Sequence, residues 1–197
     1  TVKLLTEAEA RLASMPPTVS AANGHTLKRI PPGSFTLGTP RNDQGRQANE
    51  GQRPITLTRH FYLSTTEVTN AQFRTFLGSH VSGVTGRQTL DNEQQPVVRV
   101  SWLQAVRYCN WLSAQQGLTP AYTHEGELIT PVGTGYRLPS EAEWAWAARH
   151  ALQPTPLRYP WGAAMPPPPG SGNFADERAK ALVNDWMAGY DDGYAAS

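Results

Sequence analysis

An α+β fold with little regular secondary structure is what this 197-residue sequence predicts. Three observations carry that expectation. Short apolar runs with period two recur around Pro/Gly turns, as half-buried strands require. Hydroxyl-capped apolar stripes with three- and four-residue steps mark a few helix starts. The chain also holds 17 Gly and 17 Pro with only 17% charged residues, a composition of ordered loops rather than low complexity. The length suits a single globular unit that buries its own core without staples.

At the N-terminus, Thr6 to Leu12 (TEAEARL) reads as a short helix with a Thr6/Glu9 capping box, ended by Pro16-Pro17. Residues 1–26 are therefore expected to form a lead-in arm and residues 27–197 the domain. LKRI, the Pro31-Pro32-Gly33 turn and SFTLG predict a hairpin, since Phe35 and Leu37 alternate with small or polar residues. The polar stretch Arg41 to Pro54 predicts a surface loop, after which ITLTRHFYL resumes alternation at Ile55 and Leu57. Capping boxes Thr69/Gln72, Ser101/Gln104 and Ser140/Glu143 then open three helices, and Gly78 and Gly117 stand where the first two should stop. Beyond Arg149, prolines at 154, 156, 160 and 166–169 predict a long irregular stretch.

Charge and cysteine arithmetic exclude several classes. Seventeen basic against 16 acidic residues leave a net charge of +1, so no field of one sign exists to hold nucleic acid or an anionic membrane. No apolar run is long enough to form a transmembrane segment. The start of the chain is too charged for a signal-peptide core, although a removed leader would leave no trace. The single Cys109 forbids an internal disulfide, and none of the five His sits in HExxH. Cys109 lies mid-helix on the stripe with Ala105, Val106 and Leu112, where a thiol is desolvated and its pKa rises, so it is expected to be core. Trp144 is expected to face inward, with Trp102, Trp111 and Trp161 likewise architectural, and Glu67 and Asn70 to be buried hydrogen-bonding anchors. Arg137, Arg149 and Arg158 lie near aromatics and receive no role.

In the tail, Asn173 in GNFAD and Asp191-Asp192-Gly193-Tyr194 offer amide, carboxylate and carbonyl oxygens around a glycine turn, the donor types calcium takes. By composition alone DDG is equally an ordinary turn.

Six blocks in order carry a resemblance: IPPGSFTLG at 30–38, EGQRPITLTRHFYLSTTEVTNAQF at 50–73, QPVVRVSWLQAVRYCNWLS at 95–113, GYRLPSEAEWAWAAR at 135–149, RYPWG at 158–162 and GNFAD at 172–176. The chain resembles the formylglycine-generating enzyme, or sulfatase-modifying-factor, family. The resemblance implies a C-type-lectin-like α+β fold and a structural Ca2+ held by the Asn173 side chain, the Phe174 carbonyl, the Asp192 side chain and the Tyr194 carbonyl. It also implies that oxidase members bind copper through two cysteines in a C-terminal part beyond Ser197, so that the domain lacks that part here. Cys109 matches a helix position and takes over neither catalytic role. Ergothioneine-type members take their iron ligands from a separate helical domain that is not visible here.

Three functions follow as expectations. The first is a partner-binding regulatory protein without the oxidase cysteine pair, periplasmic or secreted, in kinase-linked control of type VI secretion. The second is an oxidoreductase, either copper-dependent and converting a peptide cysteine to formylglycine or a pyoverdine-maturation relative. The third is a lectin-like ligand-display domain. Each allows a protein partner and none involves nucleic acid.

Overall fold

The computed structural model describes residues 14–42, 47–86, 88–151, 157–172, 174, 177, 180 and 187–191. The expected helix at Thr6 to Leu12 lies outside them. Strands β1 (Thr18–Ser20), β2 (Thr26–Ile30), β3 (Gly33–Leu37), β4 (Arg53–Leu57) and β5 (Phe61–Ser64) precede helix α1 (Asn70–Phe76). Short strands β6 (Val84–Thr85) and β7 (Gln88–Thr89), helix α2 (Trp102–Gln115) and helix α3 (Glu141–Arg149) follow. The α+β expectation holds.

The expected hairpin does not form. β2 sits between β1 and β5, while β3 pairs with β4 in a separate two-stranded sheet. Pro31 and Pro32 each force the residue before them into extended backbone, so the chain runs on between the strands instead of reversing. β2 takes its antiparallel partner from far along the chain, in the register Leu27↔Ser64 to Ile30↔Phe61.

The chain divides into two compact units. The first comprises Thr1–Gly33, Thr56–Glu67 and Trp102–Leu138. Its core packs Val106 and Cys109 of α2 against Ala121 and Tyr122. Two polar side chains of α2 shape the loop that covers this core. The Asn110 side-chain oxygen accepts from the Ala121 and Tyr122 amides, both at 3.1 Å, and its NH2 donates to the Tyr122 carbonyl at 2.8 Å. The Ser113 hydroxyl donates to the Cys109 carbonyl at 3.0 Å and accepts from the Tyr136 amide at 2.8 Å. The helix ends as expected, with Gly117 in the left-handed region at φ 65°.

The second unit comprises Ser34–Ile55, Val68–Ser101 and Pro139–Ser197. Its helices α1 and α3 both start with complete capping boxes, Thr69/Gln72 and Ser140/Glu143. Asn70, in the first turn of α1, is wholly buried. Its NH2 donates to the Leu90 and Asn92 carbonyls at 2.8 and 2.9 Å, and its oxygen accepts from the Ser82 hydroxyl at 2.6 Å. The Ser82 amide in turn donates to the Asp91 carboxylate at 2.7 Å, which Arg74 pairs at 2.5 Å. Asn70 is therefore the anchor its sequence position suggested, whereas Glu67 is exposed rather than buried.

Two tryptophans depart from expectation. Trp144 is 59% exposed and Trp102 62%. On α3 the buried residue is Ala145, and Trp146 packs on Phe35 at 5.4 Å and stacks on His150 at 5.6 Å. A helix turns by about 100° per residue, so an inward stripe through 145 and 146 carries Trp144 round to the outside. Trp102, the first residue of α2, meets Tyr122 in an edge-to-face contact at 6.3 Å.

Candidate functional site: the C-terminal loops and the buried thiol

The described residues after α3 are held by rings and turns. Tyr159 and Gly162 exchange backbone hydrogen bonds at 2.9 and 3.0 Å, a tight turn that Gly162 closes at φ 116°, where side-chain-bearing residues are strained. The turn stacks Tyr159 on Trp161 at 5.0 Å and 11°, and Trp161 meets Phe174 edge-on at 5.3 Å. Phe174 meets Tyr190 edge-on at 6.0 Å, geometry that adds to apolar burial. Tyr190 is buried, and its hydroxyl donates to the Pro168 carbonyl at 3.3 Å.

Glu177 fastens the two chain segments together. Its amide donates to the Tyr190 carbonyl at 3.1 Å, and its carboxylate accepts from the Gly189 amide at 2.8 Å. Among the described residues Phe174 and Glu177 thus lie beside Gly189 and Tyr190. Of the four expected calcium ligands only Phe174 falls among the described residues; Asn173, Asp192 and Tyr194 lie outside them. The donor set is chemically coherent for calcium, with an amide oxygen, a carboxylate and two carbonyls. The roles of Glu177, Phe174 and Tyr190 could not be found from the sequence, because they depend on partners more than ten residues away.

The thiol is where its stripe placed it. Cys109 is 7% exposed and touches the core of the first unit. Burial pushes its pKa up to about 12, the opposite of the electropositive, partly exposed setting that activates a cysteine. Tyr108 beside it is also raised to about 12, mainly by burial. Among the described residues no three His, Cys, Asp or Glu side chains come together as a metal cluster, and no helix is long and apolar enough to cross a membrane.

A model of the sulfatase-modifying factor enzyme 1-like domain matches residues 13–196. The chain belongs to this family. Among curated relatives of this sulfatase-modifying-factor chain, the chaperone protein LppX of Paenibacillus barcinonensis is 29% identical over 157 residues, which is 71% of the chain and 53% of the relative. The formylglycine-generating enzyme of Bos taurus is 27% identical over 162 residues, 70% of the chain and 42% of the enzyme. The chain therefore spans about half the length of the curated relatives it matches. Two solved structures share the fold. PvdO from Pseudomonas aeruginosa matches with TM-score 0.53 and 26% identity, covering 73% of this chain and 57% of that one. CarF matches with TM-score 0.53 and 28% identity, covering 71% and 64%.

Proposed function

We propose that this sulfatase-modifying-factor-family chain works as a partner-binding regulatory protein rather than through a thiol of its own. The observation that carries this reading is Cys109, the sole cysteine of the 197 residues, packed in a helix core with its thiol held neutral. A copper-dependent oxidase needs an accessible thiolate, and desolvation here opposes one. That one relative is named as a chaperone protein supports a protein partner. The finer assignment places it in the periplasm, in kinase-linked control of type VI secretion, and rests on the family resemblance. In-cell cross-linking of the full protein in its host tests it. The expected result is a specific protein adduct that persists in Cys109→Ala.

A second reading is favoured by the relatives that are formylglycine-generating enzymes and by the likeness to PvdO. In that reading the protein is an oxidoreductase whose reacting cysteines lie outside these residues. Supplying copper, oxygen and a cysteine-containing peptide separates the two. Regulatory function predicts no aldehyde product, whereas aldehyde formation by the full protein would overturn it.

The tail loops bind a structural Ca2+ in this proposal. Asn173, Phe174, Asp192 and Tyr194 would supply the oxygens, and the bonds of Glu177 to Gly189 and Tyr190 support the reading. The ion would offset the entropy of ordering the two segments that supply its ligands. Chelation with EDTA should lower the melting temperature and added calcium should restore it, because a ligand bound only by the folded state stabilises by mass action. An unchanged melting curve removes the metal assignment.

A further inference from the structure

Asn23-Gly24 is the one Asn-Gly pair in the sequence, and it occupies a turn in the first unit where both residues have positive φ, 56° and 72°. Asparagine followed by glycine is the pair most open to deamidation, since no Cβ shields the glycine amide. The Gly24 nitrogen attacks Asn23 Cγ, a C–N bond forms, the Cγ–Nδ2 bond breaks and ammonia leaves carrying the amide proton by way of solvent. Water then opens the succinimide to aspartate or isoaspartate, and no oxidant or reductant is required.

The fold holds this reaction off in two ways. At ψ 34° the L-configuration of Asn23 puts the Gly24 nitrogen nearly opposite Cβ across the Cα–C bond, whereas the five-membered ring closes only with the two on the same side. The carboxamide is also clamped, because Asn23 Nδ2 donates to the Tyr108 hydroxyl at 2.9 Å. That hydroxyl also shares a hydrogen bond with His25 Nε2 at 2.8 Å. His25 is buried, so its ring is the fixed end of the chain. Burial lowers the pKa of His25, which disfavours the charged ring.

We propose that Asn23 is a latent modification site kept closed by Tyr108, and that deamidation there records opening of the Ala22–Gly24 turn. The record is permanent, since an aspartate at position 23 has no NH2 to return to the Tyr108 hydroxyl and isoaspartate lengthens the backbone inside a tight turn. Because the reaction runs only through the open form, its native rate follows the local opening equilibrium.

Peptide mass mapping of the wild-type chain in mildly alkaline buffer, native and in urea, tests the proposal. In urea Asn23 should convert before any other asparagine, and in the native protein it should convert at least about tenfold more slowly. Tyr108→Phe, which removes the clamp and the hydroxyl bonded to His25 Nε2, should raise the native rate about tenfold, the worth of one buried hydrogen bond. In wild type, the rate across urea concentrations below the unfolding transition should track hydrogen exchange at the Gly24 and His25 amides, an arm that holds whether or not Tyr108→Phe folds. Equal native and urea rates, another asparagine converting first in urea, a folded Tyr108→Phe at the wild-type rate, or conversion that ignores the exchange-measured opening would each overturn it.

Discussion

Asn70→Ala should destabilise the protein by about 3–4 kcal/mol, with a fall in melting temperature of roughly 10 °C. The substitution removes two donors and one acceptor at a position with no solvent access, and the Leu90 and Asn92 carbonyls and the Ser82 hydroxyl each lose a hydrogen bond together. Ser82 also bonds the Val98 amide at 3.1 Å and reaches Asp91 through its own amide, so the loss spreads through one connected network. Urea unfolding measures the cost, and a cycle with Ser82→Ala should show coupling of about 1 kcal/mol between the two side chains. A cost below about 1 kcal/mol would mean that the network carries little of the second unit's stability.

In the first unit, Gly135→Ala should cost roughly 2–4 kcal/mol by overpacking. A Cβ at that position would lie 2.0 Å from the Thr119 carbonyl oxygen and 3.0 Å from the Ser113 hydroxyl. The first obstacle is backbone and cannot rotate away, and the second is the hydroxyl that holds the Tyr136 amide. Gly133→Ala is the control, since its Cβ would come no nearer than 4.0 Å to Thr119 Cβ and should change stability by no more than about 0.5 kcal/mol. Equal effects at both glycines, measured in parallel melts, would contradict the close-approach argument.

What the sequence revealed divides by range. Thr69 and Ser140 announced their helices because a capping box is complete within four residues, and Gly117 marked the end of α2 for the same local reason. Strand pairing was not legible, because β2 chooses between the nearby β3 and the distant β5 through contacts that no short window contains. The polar anchors divided likewise. Asn70 and Glu67 look alike in the EVTN segment, and only the loop at 82–92 decides that one is enclosed and the other is not. On α3 the residues Trp144 to Ala148 are all apolar, so the stripe that put Trp144 inward was not the only one the sequence offered, and the Phe35 and His150 rings settle the face in favour of Trp146. The thiol was legible throughout, since its stripe and its surroundings agree.

Alkylation of Cys109 tests the account's central claim most directly. Iodoacetamide should modify the native protein at neutral pH at least about a hundredfold more slowly than the urea-unfolded chain, because the raised pKa leaves almost no thiolate and the core denies access. Modification of the native protein at the unfolded rate, with a thiol titrating near its ordinary value, would contradict it and restore Cys109 as a candidate for chemistry.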